Sequence, residues 1–186
     1  VRQLAVCQEN RRLFSQSSEC VEILGGVLVQ RDSNMRQALA ALCNMALLEM
    51  GAQHMCQGGW VPAVLQLIRS EDEWTQLVAV STLQHIAQHA SCSDALGGDD
   101  SLIRELAWCS KKEAAQARIR SAICLASLSS NDASASIMTE IDHDEVYRAM
   151  HLLIQRFDQE PEEAVAGLLG LSNMTRKSPE ARAKSR

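Results

Sequence analysis

The stretch GGWVPAVLQLI, residues 58–68, joins a glycine pair to a proline and an apolar helical run. The glycines predict a sharp turn, because glycine adopts backbone angles that other residues avoid. Pro62 falls in the first turn of the following helix, where its missing N–H costs nothing. The stretch therefore predicts the end of one helix and the start of the next, and it leads to the question of whether the unit recurs.

The surrounding pattern recurs about every 41 residues. One series of apolar-small pairs has steps of 41, 41, 42 and 46 residues: Leu4-Ala5, Met45-Ala46, Ile86-Ala87, Leu128-Ser129 and Met174-Thr175. A second series has steps of 41: Phe14, Met55, Leu96 and Ile137. A third has steps of 41 and 39: Ile23, Val64 and Ile103. A period of about 40–47 residues is typical of arrays built from two or three helices per repeat.

Each unit predicts three helices, with turn residues between the first and the second. The predicted first helices are Asn10–Ser15, Gln53–Gln57, Asp94–Leu96 and Ala133–Glu140. The predicted second helices are Val21–Gln30, Val61–Ser70, Ser101–Ser110 and Glu145–Arg156. The predicted third helices are Asn34–Met50, Glu73–Ala90, Lys112–Ser129 and Pro161–Lys177.

The unit resembles the armadillo repeat, with GGWVPAVLQLI as a second helix and Leu42-Cys43-Asn44-Met45-Ala46 as the end of a third. The HEAT repeat is the near neighbour, but the glycine break and the third-helix motif favour armadillo. The resemblance implies an all-α fold, a right-handed α-solenoid of about four three-helix repeats. It implies a single domain over residues 1–177, with repeats at 8–50, 51–90, 91–131 and 132–177, the end of another repeat at 1–7, and a basic tail or linker at 178–186.

In armadillo proteins the third helices line a concave groove, so the resemblance also predicts which residues contact a partner. An asparagine at the motif position can hydrogen-bond both the N–H and the C=O of an extended peptide. The motif column and two residues about two turns earlier give the predicted groove: Gln37, Asn44, His85, Arg120, Ser127 and Asn173. The expected partner is a protein, bound as an extended segment or a helix. Import receptors of this family carry tryptophan one turn before the motif position; the column here is Ala40, Ser81, Ile123 and Leu169, which disfavours that function.

Charge, hydropathy and cysteine content limit the partners and the compartment that are expected for this protein. The net charge of −5 disfavours nucleic acid as a partner, because phosphate binding needs a concentrated basic face. No apolar run reaches the roughly 18 residues of a membrane span. The seven cysteines include no CxxC pair, which favours a reducing compartment, the cytoplasm or the nucleus.

Several alternatives stay open. His85, His89 and Cys92 share the i, i+4, i+7 spacing of a helical stripe and would ligate zinc if a fourth ligand joined them, but a polar helix end is the simpler interpretation. Neither a cofactor nor catalysis is expected. The acidic segment 140–163 is a solvated face or a site for a basic peptide. The chain could instead be an internal segment of a longer scaffold or chaperone, and open apolar residues such as Leu4 and Val6 predict self-association through the amino end.

Overall fold

The chain was analysed as a computed structural model, which describes residues 7–31, 33–111, 115–140 and 143–177. These residues form twelve α-helices and one 3₁₀ helix, and no strand occurs among them. The helices up to the middle of the chain are α1 Gln8–Ser15, α2 Ser18–Gln30, α3 Met35–Ala46, α4 Glu49–Gln57, α5 Val61–Leu65 with the 3₁₀ helix Gln66–Arg69, and α6 Glu73–Ala87. The others are α7 Ala90–Leu96, α8 Asp100–Cys109, α9 Ala115–Leu128, α10 Asp132–Glu140, α11 His143–Ile154 and α12 Pro161–Lys177.

Polar side chains fix where several helices begin. Ser17 Oγ accepts a hydrogen bond from the N–H of Cys20 at the start of α2, at 3.2 Å. Asp72 accepts from Thr75 N at 3.1 Å before α6, and Asp99 accepts from Leu102 N at 3.0 Å before α8. Each bond satisfies a backbone donor that has no partner inside its helix, which is why such residues begin helices.

The glycine pairs form the sharp turns that the sequence predicts. Gly59 and Gly98 have φ values of 72° and 86°, in the left-handed region. A side chain would strain the backbone at either position, so the second glycine of each pair ends one helix and redirects the chain into the next.

Two of the predicted third helices end earlier than expected. Helix α3 ends at Ala46, and α4 already begins at Glu49, because Leu48 adopts an extended conformation with φ −107° and ψ 134°. Helix α6 ends at Ala87, and α7 begins at Ala90. Residues such as Met50 therefore belong to the following helix.

The residues of the third series, Ile23, Val64 and Ile103, differ in burial. Val64 and Ile103 are fully buried, whereas Ile23 is 62% exposed. Helix α2 buries Val21, Leu24, Gly25 and Leu28, a stripe at i, i+3, i+4 and i+7, and Ile23 lies outside that stripe.

The first of two compact units extends to Ala95, and α3 lies at its centre. Helix α3 packs against α2, α4 and α6, and it buries apolar residues on all sides, including Leu39, Leu42 and Met45. Helix α4 approaches the end of α3 at Gly51, and Ser15 Oγ donates to Met45 O nearby, at 3.3 Å.

The second unit begins at Leu96, and α9 has the central place in it. Helix α9 packs against α8, α11 and α12. A Cβ atom at Gly170 would lie 2.5 Å from Met150 Sδ and 3.5 Å from Ala126 Cα, so α12 runs close to both α11 and α9.

Some predictions fall outside the described residues: the preceding repeat end at residues 1–6, with Leu4 and Val6, and the tail at 178–186. The single-domain boundary at residue 177 and the right-handed superhelix stay predictions. No helix in the described part of the chain is long and apolar enough to cross a membrane.

Candidate functional site

In the first unit, the predicted groove residues lie on neighbouring helices. Asn44 is on α3 and His85 on α6, and both side chains are half-buried. Asn44 Nδ2 donates to Ala40 O of its own helix at 3.0 Å, which fixes the orientation of the amide. Gln37, about two turns before Asn44, is exposed. The three polar residues therefore lie on a pair of helices that pack against each other.

Helices α3 and α6 are linked at both ends. At the start, the Arg36 guanidinium lies 4.5 Å from the centroid of the Trp74 ring and 3.8 Å from Asp72 Oδ2. At the other end, His89 Nε2 donates to Ala46 O at 3.0 Å. These contacts hold the two helices in one register.

In the second unit, Ser127 lies on α9 and Asn173 on α12, again half-buried. Ser127 Oγ donates to Ile123 O at 3.0 Å. Asn173 Nδ2 donates to Ser129 Oγ at 3.2 Å, and its Oδ1 accepts from Arg176 at 3.4 Å. Asn173 therefore joins α12 to the end of α9, a link that the sequence does not reveal.

Arg120 is the remaining predicted groove residue. It is exposed on α9, where it lines a depression of about 220 Å³ together with Arg156 and Glu163. Arg156 Nε lies 2.8 Å from Glu163 Oε2, which pairs the end of the α11 segment with the first turn of α12.

The suggested zinc ligands do not share one helix. His85 lies on α6, His89 in the turn after it, and Cys92 on α7, because α6 ends at Ala87. His89 already bonds to Ala46 O. In the part of the chain that the structure describes, no group of three His, Cys, Asp or Glu residues could hold a metal ion.

Two cysteines from separate helices come together in the first unit. The thiols of Cys56 on α4 and Cys92 on α7 lie within hydrogen-bonding contact. Burial, followed by the neighbouring thiol, raises the pKa of Cys56 to about 12, and burial also raises the pKa of Cys92. At the other extreme, Cys7 is exposed before α1, and bonds from the N–H groups of Asn10 and Glu9 lower its thiol pKa.

We therefore expect Cys7 to react with iodoacetamide at least about tenfold faster than Cys56 at pH 7.5, because only the thiolate attacks the reagent. At both thiols the rate should increase with pH, and at Cys7 this increase should begin at a lower pH than at Cys56, because the pKa of Cys7 is lowered and that of Cys56 is raised. Mass spectrometric mapping of alkylated peptides across pH 6–9 measures both rates. Equal rates in the folded protein would contradict the prediction, and equal rates in denaturant are the control.

A cluster that sequence analysis missed lies between α9 and α11. Arg118, Arg148 and His151 line one pocket there, together with Lys111. Arg148 and His151 have the i, i+3 spacing of one helical face, which was visible in the sequence. Their convergence with Arg118 was not, because it depends on how α11 packs against α9.

Exposed large apolar residues are restricted to the two ends of the described chain. None of them falls between residues 51 and 156; they are Leu13, Ile23, Val29, Leu47, Met50, Phe157, Val165, Leu168 and Leu169. On α12, Val165, Leu168 and Leu169 form a stripe at i, i+3 and i+4 that we call the α12 stripe.

One residue of the α12 stripe, Leu168, corresponds to a position that is covered on earlier third helices. Counting back five residues from the motif column, Leu39 on α3 and Ala122 on α9 are fully buried, whereas Leu168 on α12 is 54% exposed. The position of Leu168 is thus part of the core on α3 and α9 and part of the surface on α12.

No family model and no curated protein matches the sequence. Solved structures do match, and three of them are crystal structures of engineered proteins from the Northeast Structural Genomics Consortium. The first aligns with a TM-score of 0.70 and 19% identity over 90% of this chain and 71% of its own. The second aligns with a TM-score of 0.69 and 19% identity over 92% of this chain, but this chain spans only 43% of its length. The third aligns with a TM-score of 0.68 and 16% identity over 98% of this chain and 83% of its own. At these identities the likeness concerns the fold alone, and it shows that the chain has an all-helical, repeat-like fold.

Proposed function

We propose that this protein is a non-catalytic interaction module that binds a partner polypeptide along its third helices. The finer assignment to four armadillo-type repeats is part of the proposal. One observation supports it most directly. The residues of the motif column, Asn44, His85, Ser127 and Asn173, are only half-buried at all four positions, whereas the next residue in each helix is fully buried: Met45, Ile86, Leu128 and Met174.

This alternation gives each polar group a fixed position. A fully buried neighbour anchors the helix, and the polar side chain beside it remains accessible from solvent. Asn44 and Ser127 are further oriented by bonds to carbonyls one turn earlier. Polar groups that are held in place lose little side-chain entropy when they bind a peptide backbone, which favours recognition of an extended segment.

The test uses peptides selected from a random library against the wild-type protein. We expect Asn44→Ala combined with Gln37→Ala to weaken binding by about five- to tenfold, as for the loss of one or two hydrogen bonds. Fluorescence anisotropy with a labelled peptide measures the affinity. Melting should change little, since Gln37 is exposed and Asn44, which is half-buried, bonds only within its own helix among the described contacts.

Asn44→Ala with Asn173→Ala, which removes both asparagines of the motif column, also tests the second unit, but Asn173→Ala removes the bond to Ser129 as well. Arg104→Ala is the matched control, because Arg104 is exposed on α8 and pairs with Asp100 at 2.7 Å. If the groove variants bind every selected peptide like the wild type, the third-helix surface is not the binding site.

The α12 stripe supports a second candidate, that this chain is a segment of a longer repeat scaffold. A third helix whose apolar register is exposed is what an array presents where a further repeat stacks. Further units with a period of about 41 residues in the flanking gene sequence would support this candidate. Flanking sequence without the period would leave the binding module as the better proposal. For either candidate, the absence of a CxxC pair among the seven cysteines favours a reducing compartment, the cytoplasm or the nucleus.

A further inference from the structure

We propose that the pocket between α9 and α11, here called the basic pocket, binds a phosphate monoester carried by a phosphorylated side chain of a partner polypeptide. The polypeptide carrier rests on the proposed function, while the phosphate site stands on the geometry of the second unit alone.

The basic pocket has a volume of about 460 Å³. Helix α11 contributes one face at i, i+3 and i+4, formed by Arg148, His151 and Leu152, and Gln155 follows directly after the helix. Helix α9 contributes Arg118 opposite that face, and Lys111 closes the pocket from the turn after α8. A cavity of this size holds a phosphate group together with the side chain that carries it.

The charge of the basic pocket has the opposite sign to that of the protein. Three of its described lining residues are cationic, Lys111, Arg118 and Arg148, and one is a carboxylate, Glu145, giving 3 − 1 = +2. The whole chain has a net charge of −5. Glu145 is ion-paired with Lys111 and so does not neutralise the two arginines. Clustered positive charge in an acidic protein attracts an anion to one place on its surface.

The hydrogen bonding of Arg118 independently supports an anion in the basic pocket. Its Nε is buried and has no hydrogen-bond partner among the described residues. A buried donor without an acceptor carries a desolvation penalty that a bound anion removes. Arginine also presents its donors in a planar fork that matches the oxygens of a phosphate. Arg118 is therefore placed as the central contact, and the exposed Arg148 provides a second.

The charge balance favours phosphate over a carboxylate. A phosphate monoester carries about −1.5 to −2 charges at neutral pH, close to the excess of two positive charges in the basic pocket. A carboxylate supplies only one charge and two oxygens. The apolar Ala149 and Leu152 beside the cations provide contact for the carbon chain of the phosphorylated residue.

The experiment is an NMR titration of the ¹⁵N-labelled protein with N-acetyl-O-phosphoserine amide at constant ionic strength. We expect saturable shifts confined to α9, α11 and the turn at Lys111. Arg118→Gln and Arg148→Gln should each weaken binding about tenfold or more, while Arg104→Gln, the matched exposed arginine of the same unit, should leave it unchanged. Arg148→Gln keeps the test decisive if Arg118→Gln proves unstable.

Three further ligands, titrated in the same way, test whether the basic pocket requires a phosphate group and whether that phosphate must be attached to a side chain. N-acetylserine amide should not bind, and N-acetylglutamate amide should bind at least about fivefold more weakly than the phosphorylated compound. Inorganic phosphate binding as tightly as phosphoserine would overturn the assignment to a side chain. Linear shifts without saturation, or equal losses in Arg104→Gln, would overturn the site itself. Asn44→Ala should bind phosphoserine normally, so failure here is distinguishable from failure of the third-helix surface.

Discussion

Leu39→Ala is expected to lower the free energy of unfolding by about 2–5 kcal/mol, while Leu168→Ala is expected to change it by less than about 0.5 kcal/mol. Both leucines stand five residues before the motif asparagine, Leu39 before Asn44 on α3 and Leu168 before Asn173 on α12. Leu39 is fully buried, so its truncation leaves a cavity in the first unit. Leu168 is 54% exposed, and water already covers much of its side chain.

Urea denaturation monitored by circular dichroism measures both effects in the chain as it stands. The pair is matched in residue type, secondary structure and register, so the difference reports only whether another helix covers the position. A large loss for Leu168→Ala would mean that the α12 stripe is covered in solution and would contradict an open stacking face. A small loss for Leu39→Ala would contradict the central place of α3 in the first unit.

Local sequence signals predicted most of the helix boundaries because those boundaries are determined locally. Pro161 begins α12 as expected, since proline tolerates the first helical position. The glycine pair before Trp60 predicted a turn, and Gly59 has the left-handed backbone that such a turn requires. The repeat period then predicted helix starts and turns at the equivalent positions of the other units, including the turn at Gly98.

The ends of the third helices could not be predicted in the same way. Apolar periodicity continues past Ala46 into the next helix, because α4 carries apolar residues of its own, such as Met50 and Met55. Only the extended backbone of Leu48 interrupts it, and Leu48 carries no turn signal. The stripe of His85, His89 and Cys92 was wrong for the same reason, since regular spacing across a turn does not place residues on one face.

One candidate site could be predicted from local sequence, and the other could not. The motif column was predictable, because one period and one motif locate a polar residue on each third helix. The basic pocket was not, because Arg118 and Arg148 lie 30 residues apart and meet only through the packing of α9 against α11. Likewise the bond from Asn173 to Ser129 depends on the position of α12 and has no counterpart in local spacing.

Gly51→Ala is expected to destabilise the protein by about 1–3 kcal/mol, although alanine is ordinarily the better helix residue by roughly 0.5–1 kcal/mol. A Cβ atom at Gly51 would lie 2.4 Å from Met45 O and 2.9 Å from Met45 C, closer than atoms approach without displacement. Both are backbone atoms in the last turn of α3, so no side-chain rotation relieves the clash. Either α4 moves away from α3 or the bond from Ser15 Oγ to Met45 O is disturbed.

Gly26→Ala is the matched control, because it makes the same substitution inside α2 with no atom within 4 Å of the new Cβ. Its effect should have the opposite sign, a stabilisation of about 0.4–1 kcal/mol from the smaller entropy of the unfolded chain. Thermal and urea unfolding of both variants measure the two changes. If Gly51→Ala stabilises the protein as Gly26→Ala does, the new methyl group fits without a clash. In that case α4 does not lie in close contact with the backbone at the end of α3.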